Sequence, residues 1–333
     1  MVDDETNDVQ LKALYDQLLE LDPKHRDRMR VEAQRAGQGI RTGITLHSKA
    51  ANNESSEFDL WIPKYAITMF CARTGGGKTT WAVNLAVRMV QSGAQGMFIT
   101  LEEPGFAIRS KLMACYSRIQ NPNHSMEAIT NWEAQKVIAG KADYFDEGKF
   151  NKEIMHHVRI VDANTAVDLD KICSPTVMYQ PQFIADLIKV RNSKAERPLD
   201  FVMIDFGQLM ESMDADNSSS YMRMKAVMQG LKNLSGALGI AVIVGAQLQR
   251  SCASVPIWEW EPEMIRDGSD MEQAASLIIA IGQDKDYHDK ECNMATRFLK
   301  NRHGPKRVAG MFNIEFDKCF IPNNGRIPSD DAA

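Results

Sequence analysis

The residues best suited to chemistry lie in "FCARTGGGKTTWAVNLA", where three glycines run into a lysine and two threonines. Successive glycines let backbone N–H groups curl around an anion, and a helix beginning at the lysine adds its positive N-terminal end. Lys78 is then set to reach the β and γ phosphates of a nucleotide. The Thr79 hydroxyl is set to ligate Mg²⁺, with Thr80 following it. The spacing follows the phosphate-binding pattern G-x-x-x-x-G-K-[ST] with one departure, Ala72 in the place of the first glycine. An alanine leaving a strand is tolerated there if its φ stays negative. The expected nucleotide-binding set is Ala72, Arg73, Thr74, Gly75, Gly76, Gly77, Lys78, Thr79 and Thr80.

Other apolar runs end in polar residues that could complete such a site. "FVMIDF" carries Asp205, a carboxylate placed to hold Mg²⁺ through water. "GMFITLEEP" carries Glu102 and Glu103. Either could orient and deprotonate an attacking water, or cap the next helix. "IAVIVGAQ" ends in Gln247, which reads as a sensor of the γ phosphate or as a hydrogen-bonded loop residue.

These residues need a scaffold that delivers them to one edge. The runs 66–72, 96–101, 201–206 and 240–246 are continuously apolar and alternate with amphipathic stretches, the pattern of a mostly parallel sheet covered on both faces. The spacer 103–198 is expected as surface insertions on the same domain, and 51–57 and 214–221 as loops. Leucines at helical spacing predict a helix within 9–35, whose stripe needs a surface elsewhere or on a neighbouring subunit. The chain has 333 residues, 44% of them hydrophobic and 25% charged, a globular balance. Its longest apolar runs are too short to span a bilayer, so no membrane is expected. Six cysteines without a C-x-x-C pair fit a reducing cytoplasm, that of a host if the protein is phage-encoded. A net charge of −5 argues against a surface that coats DNA throughout, but leaves room for a small basic channel. The segment 297–307 is locally very basic and reads otherwise as a solvated strand edge and turn.

The blocks together resemble the DnaB family of replicative helicases. "ARTGGGKTT" is similar to the family's Walker A, which carries alanine where other loops have glycine. "ITLEE" resembles the strand ending in its catalytic glutamate, which selects Glu102. "MIDFGQLM" resembles its Walker B, and "GAQLQR" the strand that follows. "RDGSDMEQAAS" is similar to the family's R-E-S-G-S-I-E-Q-D-A-D, with Ala274 in place of an acid and the glycine displaced to Gly268. "LKNRHGP" resembles K-x-R-x-G-P, and "GIRTG" the glycine turn that opens the ATPase domain. The blocks keep the family's order over residues 37–320.

The resemblance implies a RecA-like α/β fold, a P-loop NTPase preceded by a short N-terminal helical segment. Segment 1–36 would be the extension or linker, 37–322 the ATPase domain and 323–333 a tail. It implies ATP and Mg²⁺ as ligands and a homo-oligomeric, usually hexameric ring with nucleotide between subunits. Lys300 and Arg302 would reach the γ phosphate in the next subunit, Arg302 as an arginine finger. Arg266, Asp267 and Gly268 would line the channel for single-stranded DNA. A helicase is the expected activity. A filament-forming DNA-binding ATPase and a ring ATPase that does not unwind are the alternatives, with a primase or loader as further partner.

Overall fold

The computed structural model describes residues 39–49, 55–162, 180–205, 207–211, 219–266, 269–283, 292–306 and 308–326. The helical stripe expected within 9–35, most of the loop expected at 214–221, and Asp267 and Gly268 lie outside them. The described residues from Ile40 onward belong to one compact unit.

The apolar runs become strands. In chain order they are β1 (Ile40–Lys49), β2 (Ser55–Ile62), β3 (Ile67–Ala72), β4 (Gly96–Thr100), β5 (Val158–Val161), β6 (Phe201–Asp205), β7 (Ala241–Gln247), β8 (Leu277–Gly282), β9 (Met294–Asn301) and β10 (Val308–Phe312). They form one mixed sheet in the order β2-β1-β10-β9-β8-β3-β7-β6-β4-β5. The stretch from β8 to β5 is parallel. β9, β10, β1 and β2 extend it in antiparallel fashion. β3, which feeds the glycine loop, is therefore interior, and each of its residues is buried. A strand buried on both faces must be apolar throughout, which explains "ITMFCA".

Helices cover both faces and make two cores. Phe70 and Ala72 of β3 point into one, with α1 (Lys78–Gln91), α2 (Gly105–Gln120) and α3 (Asn131–Ile138). Ile67, Met69 and Cys71 point into the other, with α4 (Pro181–Lys194), α5 (Ser220–Leu238) and α6 (Ser269–Ala274). The alternation is the period of two of a strand written in contacts.

Three expectations change. The 103–198 spacer supplies α2, α3 and the edge strand β5, with Leu112, Met113 and Phe150 fully buried, so much of it is core and not surface insertion. Its Pro and Asn breaks separate short elements. "GIRTG" lies at the start of β1, where a register shift between Arg41 and Thr45 accommodates Gly43 at φ 66°. That bulge replaces the expected turn. The loop expected at 51–57 gives way to β2 from Ser55.

α1 is buried on every side from Thr80 to Val90, because the sheet, α2 and the chain after β10 enclose it. Two polar residues inside this helix clamp that last segment. The Asn84 amide donates to the Thr80 carbonyl (2.8 Å) and to the Cys319 carbonyl, while its oxygen accepts from the Ile321 N–H (3.0 Å). The Arg88 guanidinium donates to the Ile321 carbonyl (2.5 Å) and to Asn323 Oδ1 (2.6 Å). Residues 323–326, placed in the tail by sequence, also bond to the sheet, through Thr45 with Asn323 and Gly325, and Met311 with Arg326. Replacing Asn84 by Ala orphans a buried carbonyl and a buried N–H. Such losses cost roughly 1–3 kcal/mol each. Urea unfolding of Asn84→Ala should show a midpoint lowered accordingly; an unchanged midpoint would show that the clamp contributes nothing.

Candidate functional site

Parallel strands deliver their carboxyl ends to one edge, where a crevice forms outside the sheet. Ala72 of β3 is level with Gln247 of β7, and Thr100 of β4 is level with Asp205 of β6. The register of four strands thus brings together groups that lie up to 175 positions apart, from Ala72 to Gln247.

The loop after β3 folds back on its own start. The Gly76 N–H donates to the Arg73 carbonyl (2.9 Å). A Cβ on Gly76 would stand 2.9 Å from that oxygen and 3.1 Å from Ala72 Cβ, so only glycine allows this closure. Ala72 itself is wholly buried in extended backbone, and its methyl packs under the loop without entering it. Gly77 caps α1 at φ 86°, a left-handed conformation that side chains disfavour. The first turn of α1 has no acidic residue and its cap makes no side-chain hydrogen bond, which leaves the helix end suited to an external anion.

Thr79 Oγ1 donates to Asp205 Oδ2 at 2.8 Å, joining the loop to the end of β6 across the intervening β7. A hydroxyl beside a carboxylate, at a helix N-terminus that draws phosphate, is a donor set that fits Mg²⁺, which takes few protein oxygens and completes its octahedron from phosphate and water. Among the described residues no cluster of His, Cys, Asp or Glu could hold a metal alone, so a cation here needs that completion. Asp205 is buried. Burial pushes its carboxyl above the ordinary value, the Thr79 bond and Lys78 pull it back, and Glu103 and Glu102 add to the rise. Lys78 shows the converse: burial lowers its pKa, and Asp205 and Glu102 restore part of it. Its ammonium lies 3.4 Å from the Arg73 carbonyl, held over the loop.

The two acids after β4 part company. Glu103 is bound by Lys111 of α2 at 2.5 Å to both oxygens, and its backbone by the Thr100 hydroxyl. Glu102 is exposed, with no such ion pair among the described residues. The Gln247 side chain donates to the Thr74 hydroxyl, touching the loop as a sensor must. Its backbone is held by a residue that sequence reasoning passed over: Gln208 accepts from the Gln247 N–H (3.2 Å) and donates to its carbonyl (3.3 Å). The signal for Gln208 was its place three residues after Asp205. Glu103 precedes α2, so no helical spacing to Lys111 signalled their pairing.

Arg266 returns to the same edge. Its N–H donates to the Gln247 carbonyl (2.9 Å), and its exposed side chain borders a groove of about 710 Å³ with Arg73, Thr74, Gln249 and Arg250. Lys300 and Arg302 are elsewhere. β9 runs antiparallel to β8, so the Arg302 N–H meets the Ser276 carbonyl (2.9 Å) before β8 begins. Leu277 is level with Thr68, while the loop follows Ala72, level with Ile281. Four residue steps of strand, about 13 Å, separate those levels. The guanidinium donates to the Gln273 carbonyl (2.5 Å) and Lys300 to the Glu272 carbonyl (2.7 Å), both at the far end of the sheet. Neither cation reaches the phosphate loop of its own chain.

With this geometry in hand, known proteins give a consistent picture. The model of the DnaB-like helicase C-terminal domain matches residues 62–321. A replicative DNA helicase DnaB of Buchnera aphidicola is 24% identical over 272 residues, covering 80% of this chain and 52% of its own length. The chain spans about half the length of the curated relatives it matches. A solved ATPase domain superposes with a TM-score of 0.62 at 20% identity, covering 96% of this chain and 99% of that one. A DnaB-like replicative helicase, solved with its interactions with primase, superposes with a TM-score of 0.60 at 21% identity, covering 79% and 58%. Both neighbours share the RecA-like α/β fold. No helix among the described residues is long and apolar enough to cross a membrane.

A raised carboxyl pKa adds stability while the group is protonated and loses it as pH climbs through the folded-state value. Ionising Asp205 in the ligand-free protein therefore costs stability. Asp205→Asn keeps an acceptor for Thr79 and removes the charge. Its Tm without nucleotide should exceed that of the wild type at pH 7.5, the gap closing toward about pH 4. Mg²⁺-dependent hydrolysis should be lost. A Tm below the wild type across that range would contradict the burial argument.

Proposed function

The chain belongs to the family of DnaB-like helicase C-terminal domains, and on that footing we propose that it is the ATP-hydrolysing motor of a ring helicase. Hydrolysis at subunit interfaces drives movement along single-stranded DNA during replication. Glycines 75–77 and the N-terminus of α1 bind the phosphates, Lys78 neutralises the β and γ groups, and Thr79 with Asp205 holds Mg²⁺. Mg²⁺ held there would supply charge stabilisation to the phosphoryl oxygens. Glu102 orients and deprotonates the attacking water. Lys111 keeps Glu103 out of that role. Gln247 responds to the γ phosphate through Thr74.

One observation carries the proposal: Lys300 and Arg302 stand at the opposite end of the sheet from the loop they are suited to serve. A second subunit that turns this end toward the first one's crevice completes each site with cations that no single chain supplies. Arg302 then stabilises charge on the transferred phosphoryl. Hydrolysis follows assembly, and a hexameric ring is the expected closed form. Arg266 shares the edge with Gln247, so a strand of DNA held by its phosphates there lies beside the sensor of nucleotide state. A primase or loader is the expected protein partner, by likeness to the neighbour solved with primase.

Complementation tests the shared site. Arg302→Ala should bind ATP normally and lose roughly 10³–10⁵-fold in turnover. Lys78→Ala should be inactive. Mixed rings, verified by co-purification through different tags, should regain hydrolysis, since some interfaces pair an intact Lys78 with an intact Arg302. Mixed rings that stay dead while a wild-type doping series falls linearly with mutant fraction would mean each subunit works alone.

Single-stranded DNA should stimulate hydrolysis and a forked duplex should be unwound. Arg266→Ala should weaken binding to all single strands alike and flatten the salt dependence. Hydrolysis indifferent to DNA would favour a ring ATPase that does not unwind, and helical filaments in micrographs a filament-forming DNA-binding ATPase.

A further inference from the structure

Catalysis by a carboxylate depends on where it points. Glu102 is exposed, so its aim is set by the backbone that carries it. That backbone is a short bridge from the end of β4 to the start of α2. On the strand side it is tied twice. The Leu101 N–H donates to the Asp205 carbonyl (2.9 Å). The Thr100 hydroxyl donates to the Glu103 carbonyl (2.6 Å) and accepts from the Glu103 N–H (3.1 Å).

The helix side needs a tie that the helix does not provide. Pro104 stands at the cap of α2 without a side-chain acceptor, and the first turn holds no acidic residue. Asp162 fills the gap from 57 positions away: its Oδ2 accepts from the Gly105 N–H at 2.5 Å. Val161 of β5 is level with Ile99 of β4, so Asp162, the next residue, leaves the sheet at the edge where β4 ends. It is buried, with 7% of its surface exposed. A Cβ on Gly105 would stand 2.8 Å from that oxygen and 3.2 Å from Asp162 Cγ, so glycine is what admits the acid. Negative charge at a helix N-terminus adds attraction to the hydrogen bond.

We propose that Asp162 is a positioning residue for hydrolysis. By holding the first turn of α2 it fixes the bridge, and with it the direction in which Glu102 meets the attacking water. The inference rests on the reading of Glu102 as the general base. Asp162 acts through the backbone and not on the reacting atoms. A displacement of about 1 Å in a catalytic group can cost on the order of 10²-fold in rate, so a tie at one end of a short bridge matters to turnover. It matters little to nucleotide affinity, because β3 and α1 carry the glycine loop. A helix cap that only stabilises would leave turnover untouched.

Hydrolysis and binding of ATP by the full chain with Mg²⁺ separate the two roles. Asp162→Ala should lower kcat roughly 10–100-fold and leave the ATP Kd unchanged. Asp162→Asn keeps an oxygen for the Gly105 N–H and should recover most of that loss. Gly105→Ala crowds the same bond from its other side and should lower kcat with Asp162 intact. In a Glu102→Gln background Asp162→Ala should add little, because the two residues act as one unit. Wild-type kcat in Asp162→Ala overturns the proposal, as does an equal further loss in the Glu102→Gln background. Weakened ATP binding at unchanged kcat would also overturn it and make Asp162 a prop for the site. Should Asp162→Ala fail to fold, Gly105→Ala decides, and full turnover there sinks the idea. Undiminished hydrolysis by Glu102→Gln would remove the general-base reading and this one with it; a crippled Glu102→Gln beside an unimpaired Asp162→Ala would remove this one alone.

Discussion

The hydrogen bond from Thr79 to Asp205 is the constraint on which the site depends. It joins the start of a helix after one strand to the end of another strand two places away in the sheet. It forms only if β3, β7 and β6 are parallel, in register, and stop together. A slip of one residue in any strand would turn the side chain at its end to the opposite face. The apolar core therefore does more than stabilise. It sets the level at which a hydroxyl and a carboxylate meet, and the burial that follows raises the Asp205 carboxyl and lowers Lys78. Both shifts favour the neutral forms, and ligands of opposite charge would relieve them.

Four of the six parallel strands were legible in the sequence, because a strand buried on both faces leaves an unbroken apolar run; β8, "LIIAIG", is such a run and was not read as a strand. All four runs read as strands fall within two residues of the observed bounds. β5 was missed because "VRIV" is four residues at an edge, with Arg159 exposed. β1 and β2 were missed because their glycines and polar residues serve an antiparallel hairpin with a bulge. The loop from Ala72 to Thr80 was legible from spacing alone. That Glu103 is bound while Glu102 stays exposed was not visible in the residues themselves, since it turns on Lys111 in the next helix. Gln208 holds the Gln247 backbone through contacts made in three dimensions, and its place three residues after Asp205 was the one hint of them.

A parallel sheet has a direction, and that direction separates this chain's cations into two sets. Lys78, Arg73 and Arg266 gather at the carboxyl ends, while Lys300 and Arg302 lie at the other end because β9 runs antiparallel to β8. Cations scattered along the sequence thus fall into two groups, decided by which strands run up and which run down. The net charge of −5 says nothing about either set.

The clamp on α1 has a consequence for how the molecule comes into being. β3 and α1 are synthesised well before their partners: β3 pairs with β7 and β8, and α1 is closed by Cys319, Ile321 and Asn323. The pairing of β3 with β7 alone spans 175 positions, from Ala72 to Gln247. Long-range closure of this kind is slow, because much chain must be ordered before the contacts repay it. A nascent chain still on the ribosome carries the complete glycine loop without the neighbours that shape it. The bonds from Asn84 and Arg88 can close only once the chain has been made as far as Asn323, so the helix behind the glycine loop is locked last.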